Sequence, residues 1–165
     1  MKGRLRRFIF PFIFALAGLF VNILLIERVF PQYLIIDFPL LVIAYFSFFE
    51  NSEWALLPAI FLSAVRDIYL GGNVGSLFFL TLSIYFFGRY FYRRLYVESE
   101  LFLLISVSII FLIETVVITI LNGAAYSFSP GIYFPLEEII RIALNSFVSI
   151  PIFYSLIRRT GLLVY

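Results

Sequence analysis

The chain has 165 residues, of which 63% are hydrophobic, 21% aromatic and only 13% charged, with a net charge of +2 and a mean hydropathy of +1.06. A soluble domain carries about 25% charged residues, so this composition does not supply a water-facing surface, and apolar runs near 20 residues long read as transmembrane helices. The absence of cysteine and histidine excludes disulfides, thiolate clusters, His-ligated metals, haem held by His or Cys, and any nucleophile–His triad.

The hydropathy pattern predicts six spans, at residues 8–26, 33–49, 54–70, 74–92, 101–121 and 136–157. The first follows Lys2, Arg4, Arg6 and Arg7. No small-residue cleavage site follows a short apolar core, so this segment is expected to stay as a membrane helix. Ala15, Ala17 and Gly18 give it small residues suited to tight helix contact, and Asn22 is its polar residue. The second span is short and contains Asp37 and Pro39. The third ends in Arg66 and Asp67, about 18–20 Å from Trp54 at ~1.5 Å per helical residue. A turn containing Gly71, Gly72 and Gly75 leads into the fourth span, which runs out into Arg89, Arg93 and Arg94. Glycine in such a turn supplies positive φ. The fifth span holds Glu114, with Asn122 two turns further on. A connection over 122–135 follows, with Gly123, Pro130, Gly131 and Pro135 as turn formers. The sixth opens with Glu137, Glu138, Arg141 and Asn145, at i, i+3 and i+4 relations, and ends at Arg158 and Arg159.

Charge bias sets the orientation. With the N-terminus inside, the cytoplasmic side receives Lys2, Arg4, Arg6, Arg7, Arg89, Arg93, Arg94, Arg158 and Arg159, while the outer loops receive only Arg28. If the second span did not cross, the Arg89/Arg93/Arg94 cluster would fall outside. Tyr33, Tyr69, Tyr126 and Tyr133 then lie near the outer boundary, and Trp54, Tyr90, Tyr92, Tyr96 and Tyr154 near the inner one, as interfacial anchors. The expectation is an all-α, polytopic membrane protein. It forms one integral domain over 1–165, a six-transmembrane-helix bundle with both termini cytoplasmic. The basic inner face favours anionic lipid headgroups or an acidic cytosolic partner, and no nucleic-acid motif is present.

A charge at membrane depth costs on the order of 2.5–3.5 kcal/mol on insertion scales, so such residues face the bundle interior and pair. Arg66 with Asp67, Glu114 or Glu138, and Arg141 with Glu114 or Glu137, are the pairings open to the sequence. Arg66, Glu114, Glu138, Arg141 and Asn145 either join helices or line an outward-facing pocket or partner site. Asp37 and Asp67 also raise an intramembrane aspartic dyad, in which one carboxyl stays protonated. The stretch from Asn122 to Ser127 superficially resembles the Asn-x-Gly-Ala-Ala motif of lipoprotein signal peptidases. Its spacing is off by one residue, and that family's two aspartate-bearing motifs are missing.

One resemblance covers nearly the whole chain. A helix ending in Asp67, the turn Gly71-Gly72-Asn73-Val74-Gly75, and a span from Leu77 to Arg89 with Arg93 and Arg94 resemble the rod shape-determining MreD family. So do the basic N-terminus running into Arg7-Phe8-Ile9-Phe10-Pro11-Phe12, Pro39 opening the second span, Glu114 in the fifth, and Asn145 through Pro151 leading to Arg158-Arg159. Arg66 departs from the pattern, where a small or apolar residue is more usual. The resemblance implies a non-enzymatic membrane scaffold of the bacterial cell-elongation machinery, without cofactor or metal. Its implied partners are the single-span protein MreC, the actin-like MreB filament, RodA with its partner transpeptidase, and membrane lipids. Self-association is left open. MreD-like chains also resemble the six-helix substrate-binding components of energy-coupling factor transporters, which implies an alternative role as a vitamin-binding subunit.

Overall fold

A computed structural model describes residues 2–26, 36–50, 52–70, 75–92, 100–125 and 136–160. Their regular structure is all helical, with no strand among the described residues. The α-helices are α1 (Lys2–Val21), α2 (Phe38–Phe49), α3 (Leu56–Leu70), α4 (Ser76–Tyr92), α5 (Glu100–Ala125) and α6 (Leu136–Thr160). A π-helical turn, Asn22–Ile26, extends α1, and a 3-10 turn, Glu53–Ala55, leads into α3. Each helix falls on one of the predicted apolar segments. Three stretches, Arg7–Leu24, Leu101–Ile120 and Leu136–Thr160, are long and apolar enough to cross a membrane. The remaining helices, α2, α3 and α4, have 12, 15 and 17 residues.

The shortest helix is the centre of the molecule. From Pro39 to Phe48 every residue of α2 is buried, and α1, α3, α4 and α6 all pack against it. A helix that is apolar on all sides needs such surroundings. Its start is set locally. The Asp37 side chain accepts from the Leu40 N–H at 3.0 Å, and Pro39, in the first turn, needs no donor there. The Asp37-Phe38-Pro39 sequence therefore begins the helix at Phe38, short of the predicted start at 33.

Contacts at the two ends show that successive helices run in alternating directions. At one end the Asn22 amide donates to the Ile36 carbonyl, and Arg66, late in α3, reaches Asp37 before α2 and Thr81 early in α4. At the other end Tyr45 Oη and Thr160 Oγ1 hydrogen bond at 2.8 Å, and the Arg159 guanidinium lies 5.2 Å from the centre of the Phe10 ring. Between the ends, Phe153 packs its ring 6.0, 6.4 and 5.8 Å from Tyr45, Phe48 and Phe49, in the tilted and edge-on arrangements that aromatic quadrupoles prefer. Apolar residues such as Ile13, Phe20, Phe79, Leu101 and Phe147 point outward. Such surface suits hydrocarbon and not water.

Small residues permit the closest approaches to α2. A Cβ built on Gly18 would lie 2.3 Å from the Phe38 ring, and one on Gly88 would lie 2.5 Å from Ser47 Oγ. The small face of α1 is thus spent inside the bundle. Ala15 and Gly18 are buried, and only Ala17 of the three faces outward. Gly88→Ala is expected to destabilise by about 1 kcal/mol, because an overpacking cost of about 1–3 kcal/mol exceeds a helix-propensity gain of about 1 kcal/mol. Ser47→Gly in the same chain removes the clashing hydroxyl and should recover most of that loss in a micelle unfolding titration.

Candidate functional site

The polar centre is built around Arg66, whose relative exposure is 0%. Its Nε donates to Asp37 Oδ2 at 2.8 Å, and its Nη2 lies 2.7 Å from the same oxygen. Nη1 donates to Thr81 Oγ1 at 2.9 Å, while the Thr81 hydroxyl donates onward to the Leu77 carbonyl. Nη2 also donates to Glu114 Oε1. One guanidinium thereby ties α3 to the start of α2, to α4 and to α5. Its planar fork of donors suits it to hold several acceptors at once, as an ammonium would not.

Glu114, also fully buried, extends the network to α6. Its Oε1 is 3.8 Å from Arg141 Nη2, and Arg141 Nη1 is 3.4 Å from Glu138 Oε2. Asn145 closes the ring. Its Nδ2 donates to the Arg141 carbonyl at 2.9 Å, and its Oδ1 accepts from the Asp37 N–H at 2.8 Å. The carboxylates of Asp37, Glu114 and Glu138 therefore face the guanidiniums of Arg66 and Arg141. Glu114 Oε2 and Glu138 Oε2 are buried without a hydrogen-bond partner among the described residues. The Arg141 and Glu138 side chains keep 24% and 28% exposure, in contrast to the sealed Arg66–Glu114 pair. Among the described residues no group of three or more His, Cys, Asp or Glu is placed to hold a metal ion.

Asp67 has a separate task, and the expected Arg66–Asp67 pair is corrected. Neighbours on a helix point about 100° apart. Arg66 turns inward, whereas Asp67 reaches the start of α4. There its Oδ2 accepts from the Gly75 N–H at 2.8 Å and its Oδ1 from the Phe78 N–H at 3.3 Å. The first turn of a helix leaves donors without intrahelical acceptors, and a carboxylate both satisfies them and complements the helix dipole. Asp67 thus caps α4 from the preceding helix. Gly75 sits at φ +93°, a conformation that glycine adopts at little cost. Gly71 and Gly72 lie outside the described residues.

The remaining expectations divide in the same way. Arg141 pairs with Glu114 as expected, but with Glu138 in place of Glu137, which is exposed. Arg89 donates to Tyr85 Oη at 3.0 Å, while Arg93 and Arg94 lie outside the described residues. Asp37 and Thr81 are network members that the pairings read from the sequence did not include. The cue for Asp37 was local, a helix cap two residues before a proline. The carboxylates of Asp37 and Asp67 are engaged separately, one on Arg66 and the Leu40 N–H, the other on the α4 terminus.

Compared with protein-family models, curated proteins and solved structures, the chain matches none.

Proposed function

We propose that this chain is a non-catalytic, multi-pass scaffold of the bacterial cytoplasmic membrane, similar in role to MreD, with six spans and both termini in the cytoplasm. The observation that carries the reading is the segment from Arg66 to Gly75. Its Asp, its turn and its Gly match the order of the resemblance, and each has a structural task, since Asp67 caps α4 and Gly75 supplies the positive φ. The ionised groups of the bundle are likewise spent on joining helices, which supports a rigid framework. The short α2 fits six spans because protein surrounds it on its flanks, so its length need not match the hydrocarbon thickness of about 30 Å.

In this reading the bundle holds the membrane helix of MreC and helps couple MreB filaments to side-wall peptidoglycan synthesis by RodA and its partner transpeptidase. The test is co-expression of the tagged chain with MreC from the same organism, followed by detergent pull-down. Stable co-purification is expected for the wild type. A folded, monodisperse chain that leaves MreC behind would contradict the scaffold reading.

A second reading, the substrate-binding subunit of an energy-coupling factor-type transporter, is favoured by one observation. Arg141 and Glu138 are partly open to the outside beside carboxylate oxygens that lack hydrogen-bond partners. A vitamin that co-purified stoichiometrically and raised thermal stability would select it.

A further inference from the structure

Two stripes of side chains face each other across a gap on the side of the bundle. Leu80, Ser83, Ile84, Phe87 and Gly88 of α4 form one wall, Phe48 of α2 contributes to the floor, and α5 supplies the other wall between Phe102 and Ile113. The spacing along each wall is i, i+3, i+4, i+7, one face of a helix. The gap exists because α5 packs along α6 and not along α4. It opens outward, since Phe87, Ile105 and Ile109 on its rims are exposed.

Its dimensions select an occupant. The stretch from Phe102 to Ile113 is about 16 Å long at ~1.5 Å per residue. A volume of about 500 Å³ over that length gives a section of about 30 Å², against on the order of 100 Å² for an α-helix 10–12 Å across. A partner helix cannot enter. A polymethylene chain, whose neighbours lie about 4 Å away, needs a section on the order of 20 Å². Polar atoms contribute little to the lining, with Ser83 and Ser106 the only side chains bearing them, and the Ser83 hydroxyl is already donated to the Phe79 carbonyl. At one mouth, one residue beyond Gly88, stands Arg89 in the last turn of α4. A guanidinium recognises phosphate through its fork of donors.

We propose that this groove is a lipid site that seats one acyl chain of an anionic glycerophospholipid, with the phosphate held at the level of Arg89. The site places a lipid between α4 and α5, where the bundle lacks a helix contact. It depends on the chain lying in a membrane and not on the scaffold role, so loss of MreC co-purification would leave it standing.

The test is native mass spectrometry of the full chain, delipidated in detergent and then supplied with phosphatidylglycerol or phosphatidylcholine. One phosphatidylglycerol is expected to stay bound at detergent concentrations that strip bulk lipid, with at least fivefold less phosphatidylcholine. Ser106→Phe, which fills the groove, and Arg89→Gln, which removes the charge, should each lower retention at least fivefold. Ser83→Leu fills the groove from the opposite wall and replaces Ser106→Phe if that variant is not monodisperse. A Trp54→Phe/Ile109→Trp chain gives a second readout. Brominated phosphatidylglycerol should quench its fluorescence with saturation near one lipid per chain. Absence of a retained lipid on the wild type, equal retention of the two lipids, or undiminished retention in both groove-filled variants would overturn the proposal.

Discussion

Arg66→Met is expected to destabilise the bundle by about 3–5 kcal/mol, because removing one member of a buried ion pair leaves the other charges uncompensated. Asp37 and Glu114 would both lose their guanidinium, and Thr81 would lose the donor at its hydroxyl. Volume is not the reason, since methionine fills much of the same space. The charge origin can be separated by neutralising the acceptors. Arg66→Met combined with Asp37→Asn and Glu114→Gln should be clearly more stable than Arg66→Met alone, because an uncharged set carries a far smaller desolvation cost. An unfolding titration in mixed micelles reads both. If the triple variant were no more stable than the single one, the charge network would not be what joins α2, α3, α4 and α5.

Asp67→Ala is expected to cost about 2–3 kcal/mol, the loss of a helix cap together with buried N–H groups left without acceptors. Asp67→Asn should cost roughly 1 kcal/mol or less, since asparagine caps about as well as aspartate and only the charge at the helix terminus is lost. Hydrogen exchange locates the effect. The Gly75 and Phe78 amides should lose protection in Asp67→Ala and largely keep it in Asp67→Asn. Equal loss in both variants would mean that charge, and not hydrogen bonding, holds the start of α4.

The helices were legible in the sequence because apolar run length and breaking residues are local signals. All six predicted segments carry a helix, and the network residues Arg66, Glu114, Glu138, Arg141 and Asn145 were recognisable as ionisable or polar groups too costly to leave unpaired. The pairings were less legible, because they depend on how each helix is rotated about its own axis. Arg66 and Asp67 are adjacent in the chain yet serve opposite sides of their helix. Asp37 read as an interruption of the second span, whereas it caps α2 and accepts from Arg66. Ala15 and Gly18 read as a face for partner helices and are instead buried in the bundle. The groove beside α4 gave no sequence signal, because it arises from two helices failing to pack.

The central claim is that the chain crosses the membrane six times and that its charge network lies toward the outer face. The chain has no native cysteine, so single cysteines report topology without background. The measurement is labelling of Asn51→Cys, Asn73→Cys, Ser99→Cys and Ser127→Cys in intact cells with a membrane-impermeant maleimide. Labelling is expected at 73 and 127, with 51 and 99 reacting only after permeabilisation. Labelling at 51 or 99 in intact cells, or protection at 73 and 127 that permeabilisation relieves, would contradict the account.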